Sequence, residues 1–116
     1  MPSSFQIPDE IDLLEFFGSE PVDRIVEDGY WCYETIDSRQ IKLRFSFNVY
    51  ECSVQTSLSL ADIPISNVSH EGANRLLLRE GKLICELSSK NSKSLLVVEN
   101  GTFLSVRWST LRTRLL

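Results

Sequence analysis

From Ile41 to Val49 the chain alternates without a break: Ile41, Leu43, Phe45, Phe47 and Val49 are apolar, and Lys42, Arg44, Ser46 and Asn48 between them are polar. Successive side chains of a strand point to opposite faces, so this pattern predicts a strand with one face in a core and the other wet. Cys52, Val54, Thr56, Leu58 and Leu60 continue the alternation against Glu51, Ser53, Gln55, Ser57 and Ser59, which predicts an antiparallel neighbour with the same sidedness. Upstream, Tyr30 to Ile36 is rich in aromatic and β-branched types, and Ile36 to Ile41 then supplies a turn. In alternation Trp31 and Tyr33 share one face of this strand, and Tyr30 and Cys32 share the other.

The period changes near the start of the chain. Ile11, Leu13, Leu14, Phe16 and Phe17 lie at helical spacing, Asp9 stands where a cap is needed and Gly18 where a helix stops, so a helix is predicted over about 9–17 with Asp12 and Glu15 facing outward. Downstream, Pro64 marks Ala61 to Gly72 as an edge strand or irregular connection, because proline cannot donate to a ladder. Two hairpins follow. Glu80-Gly81 separates two apolar runs, and Asn100-Gly101 has the residues favoured at the two positive-φ positions of a type I′ turn. Ser88 to Ser94 between them reads as a polar loop, and Ser109 to Leu116 as a frayed strand or tail.

With hairpin connections throughout and no strand-helix-strand crossover, the expected fold class is α+β, mainly β. The architecture would be a curved antiparallel sheet, or a partly closed barrel, of about six to eight strands over about 22–110, with the N-terminal helix packed on it. The 116 residues suffice for one domain, 1–116, and a 42% hydrophobic, 24% charged composition is that of an ordinary globular chain. No apolar run approaches the roughly 18 to 20 residues that span a bilayer, and the first ten residues have neither a basic leader nor an apolar stretch. The expected place is therefore the cytoplasm, with no membrane partner. Cys32, Cys52 and Cys85 are odd in number and fall in strand-like segments, so they read as small buried hydrophobes in a reducing compartment.

Little chemistry is visible. The single histidine, His70, lies in the loop-like Ser69-His70-Glu71-Gly72, and no Cys-x-x-Cys pair, phosphate loop or nucleophile elbow is present. The expectation is no catalytic residue, no metal and no cofactor. A pI near 5.0 also argues against a nucleic-acid partner, since affinity for phosphate backbones comes from Lys and Arg. The basic residues of the later strands are spread singly, as outward strand positions require.

Charge is what departs from the ordinary. Residues 1–37 hold ten acids against Arg24 alone, a net charge of −9, whereas the remainder carries +5. First-turn acids complement a helix dipole, which accounts for Asp9, Glu10 and Asp12 and leaves seven unexplained. Like charges at this density repel one another, so a structural account alone does not explain why they are not interleaved with lysine. A cationic protein partner does, because a negative patch speeds encounter and fixes orientation. The candidate partner-binding residues are Asp12, Glu15, Glu20, Asp23, Glu27 and Asp28, with Tyr30 as the aromatic anchor beside them.

The stretch Leu13 to Glu27, followed by a strand and then Ile41 to Phe47, resembles the opening of small immunity proteins encoded beside bacterial polymorphic toxins, including those of contact-dependent growth inhibition systems. Phe17-Gly18, Pro21 and Glu27 carry the likeness over roughly the first 47 residues. Relatives often place a His-Asp pair after the proline, where this chain has Val22-Asp23-Arg24-Ile25. The resemblance implies a cytoplasmic, non-enzymatic protein, expected as a monomer, that neutralises a cognate toxin by occluding it; a basic nuclease is the expected toxin. The alternatives are an acidic secretion chaperone, which would be a dimer with apolar grooves, and a small enzyme or small-molecule binder using the sheet mouth with His70 and Glu71.

Overall fold

The computed structural model describes residues 5–112. Among these residues, nine strands and one short α-helix follow in the order α1 (Glu10–Phe17), β1 (Asp23–Ile25), β2 (Tyr30–Ile36), β3 (Ile41–Asn48), β4 (Ser53–Leu60), β5 (Ile63–Glu71), β6 (Ala73–Arg79), β7 (Lys82–Ser89), β8 (Ser92–Asn100) and β9 (Leu104–Arg112). All pairings between strands are antiparallel and sequential, giving a five-stranded sheet β1-β2-β3-β4-β5 and a four-stranded sheet β6-β7-β8-β9. The fold is mainly β with an N-terminal helix, as expected, and it divides into two sheets instead of closing into a barrel. The strand beyond the expected eight is the three-residue β1, too short to show a period.

Both sheets and the helix contribute to one core. Leu43, Phe45 and Phe47 of β3 and Val54 of β4 are buried with Leu76, Leu83, Cys85, Leu96 and Val98 of the other sheet. Phe17 of α1 stacks on Tyr33 with centroids 4.6 Å apart and on Phe45 at 5.8 Å. Each buried side chain of this size contributes about 1.5–3 kcal/mol by leaving water. Thr56, a polar residue on the core side of β4, accepts a hydrogen bond from the Trp108 indole N–H at 3.2 Å, so its hydroxyl is paired across the two sheets.

The chain passes from the first sheet to the second at Gly72. Its φ is +85°, and a Cβ there would lie 2.3 Å from the Ser88 carbonyl oxygen, so only glycine fits. Ala73 N–H donates to the Cys52 carbonyl and Ser88 N–H to the Gly72 carbonyl, which tie the bend to both sheets.

Several local expectations change in three dimensions. Asp9 occupies the N-cap position, but its side chain makes no capping hydrogen bond; Gly18 ends the helix in the left-handed region as expected. Only Leu13 and Phe17 of the helical arc are buried, while Ile11 is 74% exposed. Cys52 lies in the turn before β4 and donates its thiol to the Val49 carbonyl, outside the strand that its alternation suggested; Cys32 and Cys85 are buried strand residues. His70 belongs to edge strand β5 and packs at a tilt against Trp108, ring centroids 5.1 Å apart, so it is not a loop residue. Ser88, Ser89 and Ser92 to Ser94 are paired strand residues, which reduces the polar loop to Lys90 and Asn91.

The Asn100-Gly101 hairpin forms without the type I′ turn. Asn100 pairs with Leu104 at the end of β8, neither Asn100 nor Gly101 has positive φ, and Gly101 to Phe103 make a three-residue loop. Tertiary bonds override the local preference: Asn100 Nδ2 donates to the Phe16 carbonyl at 2.9 Å, and Leu104 N–H donates to Asp37. The Glu80-Gly81 turn takes the positive-φ pair instead, at +53° and +76°. The expected tail is β9 as far as Arg112, and the remainder of that segment lies outside the described residues.

Candidate functional site: an acidic groove on the five-stranded sheet

One face of the five-stranded sheet builds the core, and its register puts the other side chains in rows on the outward face. One row is Ile25, Tyr30, Asn48, Ser53 and Glu71. The next is Asp23, Cys32, Ser46, Gln55 and Ser69, and a third is Glu34, Arg44, Ser57 and Asn67. Small polar side chains dominate β3, β4 and β5 here, so the face is low in the middle, with bulk at one end.

That end is shaped by a close approach at Gly29. Val26 to Asp28 form a 3-10 turn that stops at Gly29, φ +69°, and a Cβ on Gly29 would lie 2.7 Å from Val49 Cγ2 and 2.9 Å from Tyr50 Cδ2. Glycine therefore lets the β3–β4 turn lie against the acidic turn, where Val49 N–H donates to the Gly29 carbonyl at 2.9 Å. Asn48 Oδ1 accepts from the N–H groups of Tyr50 at 3.0 Å and Glu51 at 2.9 Å, an Asx arrangement that fixes the turn and the direction of both side chains.

Two depressions result. One of about 540 Å³ is lined by residues that include Tyr30, Ser46, Asn48, Glu51, Gln55, Ser69 and Glu71. The other, of about 530 Å³, is lined by Asp23, Ile25, Glu27, Asp28, Tyr30, Asn48, Tyr50 and Glu51. They share Tyr30, Asn48 and Glu51 and form one groove whose lining contains five carboxylates and neither lysine nor arginine. Val22, Ile25, Val26 and Tyr50 are exposed at this end, which supplies apolar surface among the acids.

The expected partner-binding residues thus separate. Asp23, Glu27, Asp28 and Tyr30 meet in the groove. Asp12 and Glu15 lie on the outer side of α1 in a different depression, about 520 Å³, with Arg79 and Glu80 of the β6–β7 hairpin; Glu20 is exposed between α1 and β1. Tyr30 is half-buried and floors the groove instead of projecting from it. Tyr50, Glu51 and Glu71 belong to the site and were not anticipated. Glu51 had one local signal, Asn48 two and three residues before the Tyr50 and Glu51 amides, which is a turn signature.

Two groups on the groove floor are shifted by their surroundings. Burial pushes the Tyr30 phenol up, with the nearby Cys32 thiol acting in the same direction and Arg44 opposing them. Burial also pushes the Cys32 thiol up, so the side chain stays protonated at neutral pH and is a poor nucleophile. Cys85 is pushed up by burial to about 12. Arg44 is engaged with Glu34 at 2.9 Å, and Arg24 with Glu10 at 3.4 Å, where the Trp31 indole N–H also donates. Among the described residues no group of His, Cys, Asp and Glu is placed to hold a metal ion, and no helix is long and apolar enough to cross a membrane.

No protein-family model and no curated protein sequence matches the chain. Among solved structures, it is similar to a chain of the contact-dependent growth inhibition toxin–immunity protein complex from Klebsiella pneumoniae 342. The TM-score is 0.83 at 23% identity, over 91% of this chain and 96% of that one. At that identity the likeness establishes a shared fold.

Proposed function

We propose that this chain is an immunity protein that binds a cognate toxin domain and neutralises it by stoichiometric occlusion. The observation that carries the reading is the shared fold, nearly end to end, with a chain of a toxin–immunity protein complex. The acidic groove supports assigning the immunity role to this chain. A groove lined by five carboxylates without lysine or arginine repels nucleic acid and attracts a cationic protein. Nucleases are cationic where they hold their polyanionic substrates, so a basic nuclease is the toxin this surface fits.

In this mechanism Asp23, Glu27 and Asp28, with Glu51 and Glu71, steer the toxin and pair with its Lys and Arg. Asp12, Glu15 and Glu20 extend the negative field along the helix side. Val22, Ile25, Val26 and Tyr50 supply the apolar contact that holds the complex once charge has oriented it. No bond is made or broken. The protein acts as one domain in the cytoplasm, as a monomer against one toxin.

The reading is tested by purifying the chain from its host at low and at high salt, with mass spectrometry of what travels with it. A basic protein with nuclease activity, held at near-equal molar ratio and released in part by salt, is the expected result. A chain that emerges alone under both conditions contradicts it.

A further inference from the structure

Ser46 sits on the groove floor between Cys32 and Gln55 in its row, and only 9% of it is exposed. Its hydroxyl has no hydrogen-bond partner among the described residues, whereas the neighbouring Gln55 and Ser57 both donate to Asn67 Oδ1, at 2.7 and 3.2 Å. The Ser46 oxygen is open to the groove and so is free to bond a group that arrives from outside. Acids stand on both banks, Asp23 and Asp28 on one side and Glu51 and Glu71 on the other, while Arg44, which bonds the Tyr30 hydroxyl and pairs with Glu34, lies at one end of the floor.

We infer that the groove takes an extended cationic segment of the partner, a strand or loop that enters the sheet face. A Lys or Arg of that segment lies over the Tyr30 ring between the carboxylates, and a polar group beside it bonds the Ser46 hydroxyl. The two joined depressions are longer than one amine needs, and their aromatic floor favours a cation lying flat on it. The inference rests on the immunity reading for the identity of the partner. Its geometry is separate: it assigns the seat of binding to the groove and leaves the helix acids Asp12 and Glu15 outside it.

A capped Gly-Arg-Gly-Lys-Gly-Arg-Gly peptide titrated into the full-length ¹⁵N-labelled chain tests this by NMR, with the matching Glu-substituted peptide as control. The expected result is amide shifts centred on Tyr30, Ser46, Asn48 and Ser69. Binding should weaken about tenfold or more in Glu51→Gln/Glu71→Gln and stay within about twofold in Asp62→Asn/Glu80→Gln, two exposed turn acids outside the groove. Both variants alter exposed residues, and a dispersed spectrum confirms each fold. Shifts centred on α1, equal weakening in the two variants, or no shifts at millimolar peptide overturn the inference. Failure of the immunity reading shows differently, as a wild-type chain that retains no basic protein from its host while the peptide still binds in the groove.

Discussion

The Asp37 carboxylate accepts a hydrogen bond from the backbone N–H of Leu104 at 2.9 Å, joining the β2–β3 turn to the first residue of β9 across 67 positions. The same carboxylate accepts from the N–H groups of Arg39 and Ile41 and is paired with the Arg39 guanidinium at 2.7 Å. Arg39 in turn donates to the Leu104 carbonyl and lies over the Phe103 ring at 4.7 Å. Asp37 thus connects the two sheets at the end where α1 packs.

A pH dependence follows. Burial raises the Asp37 carboxyl, but Arg39 and the three N–H groups outweigh it and hold it at about 2 against an ordinary 3.8. A folded value below the unfolded one means that the unfolded chain binds the proton first, so this stabilisation is complete above 3.8 and is lost as pH falls towards 2. Urea midpoints measured through that window should fall steeply for the wild type. Asp37→Asn should start lower at neutral pH and show a shallower slope; equal slopes would remove Asp37 from the account.

Phe17 ties α1 to the five-stranded sheet through its stack on Tyr33, and only 4% of it is exposed. Phe17→Ala should cost about 3–5 kcal/mol in chemical denaturation, the usual loss for a buried aromatic. Ile11→Ala, on the exposed side of the same helix, should change stability by about 0.5 kcal/mol or less.

Gly29 and Gly81 both have positive φ, but the space around them differs. Alanine at Gly81 meets nothing within 4 Å and should cost about 1–2 kcal/mol for the left-handed backbone alone. Alanine at Gly29 must also displace Val49 and Tyr50, so Gly29→Ala should be the more destabilising by thermal melting and should weaken toxin binding as well. Equal melting temperatures for the two variants would mean that the acidic turn does not depend on that approach.

The elements were legible in the sequence where one local force dominates. The β3 alternation, the glycine stop of α1, the proline on edge strand β5 and the Glu80-Gly81 hairpin each follow from side-chain sidedness or backbone sterics. Contacts made across sequence were not legible. Asn100-Gly101 has good I′ chemistry, yet bonds to Phe16 and Asp37 set another loop, and the division into two sheets depends on the bend at Gly72. The site was half legible for the same reason. Asp23, Glu27 and Asp28 are neighbours in sequence, whereas Glu51 and Glu71 reach them only through strand pairing.

Reversing the groove acids separates rate from hold. Asp23→Lys/Glu27→Lys/Asp28→Lys should slow association with the captured toxin by about tenfold or more at low salt, with a smaller effect as salt rises. Stopped-flow mixing of the variant with the toxin measures this directly. An unchanged rate would return these carboxylates to plain solubility.

The central claim is most directly tested by titrating this chain into a nuclease assay of the basic protein it retains from its host. Occlusion predicts activity that falls in proportion to added chain and ends near equal molar amounts. Activity that persists in the presence of a molar excess of bound chain would contradict it.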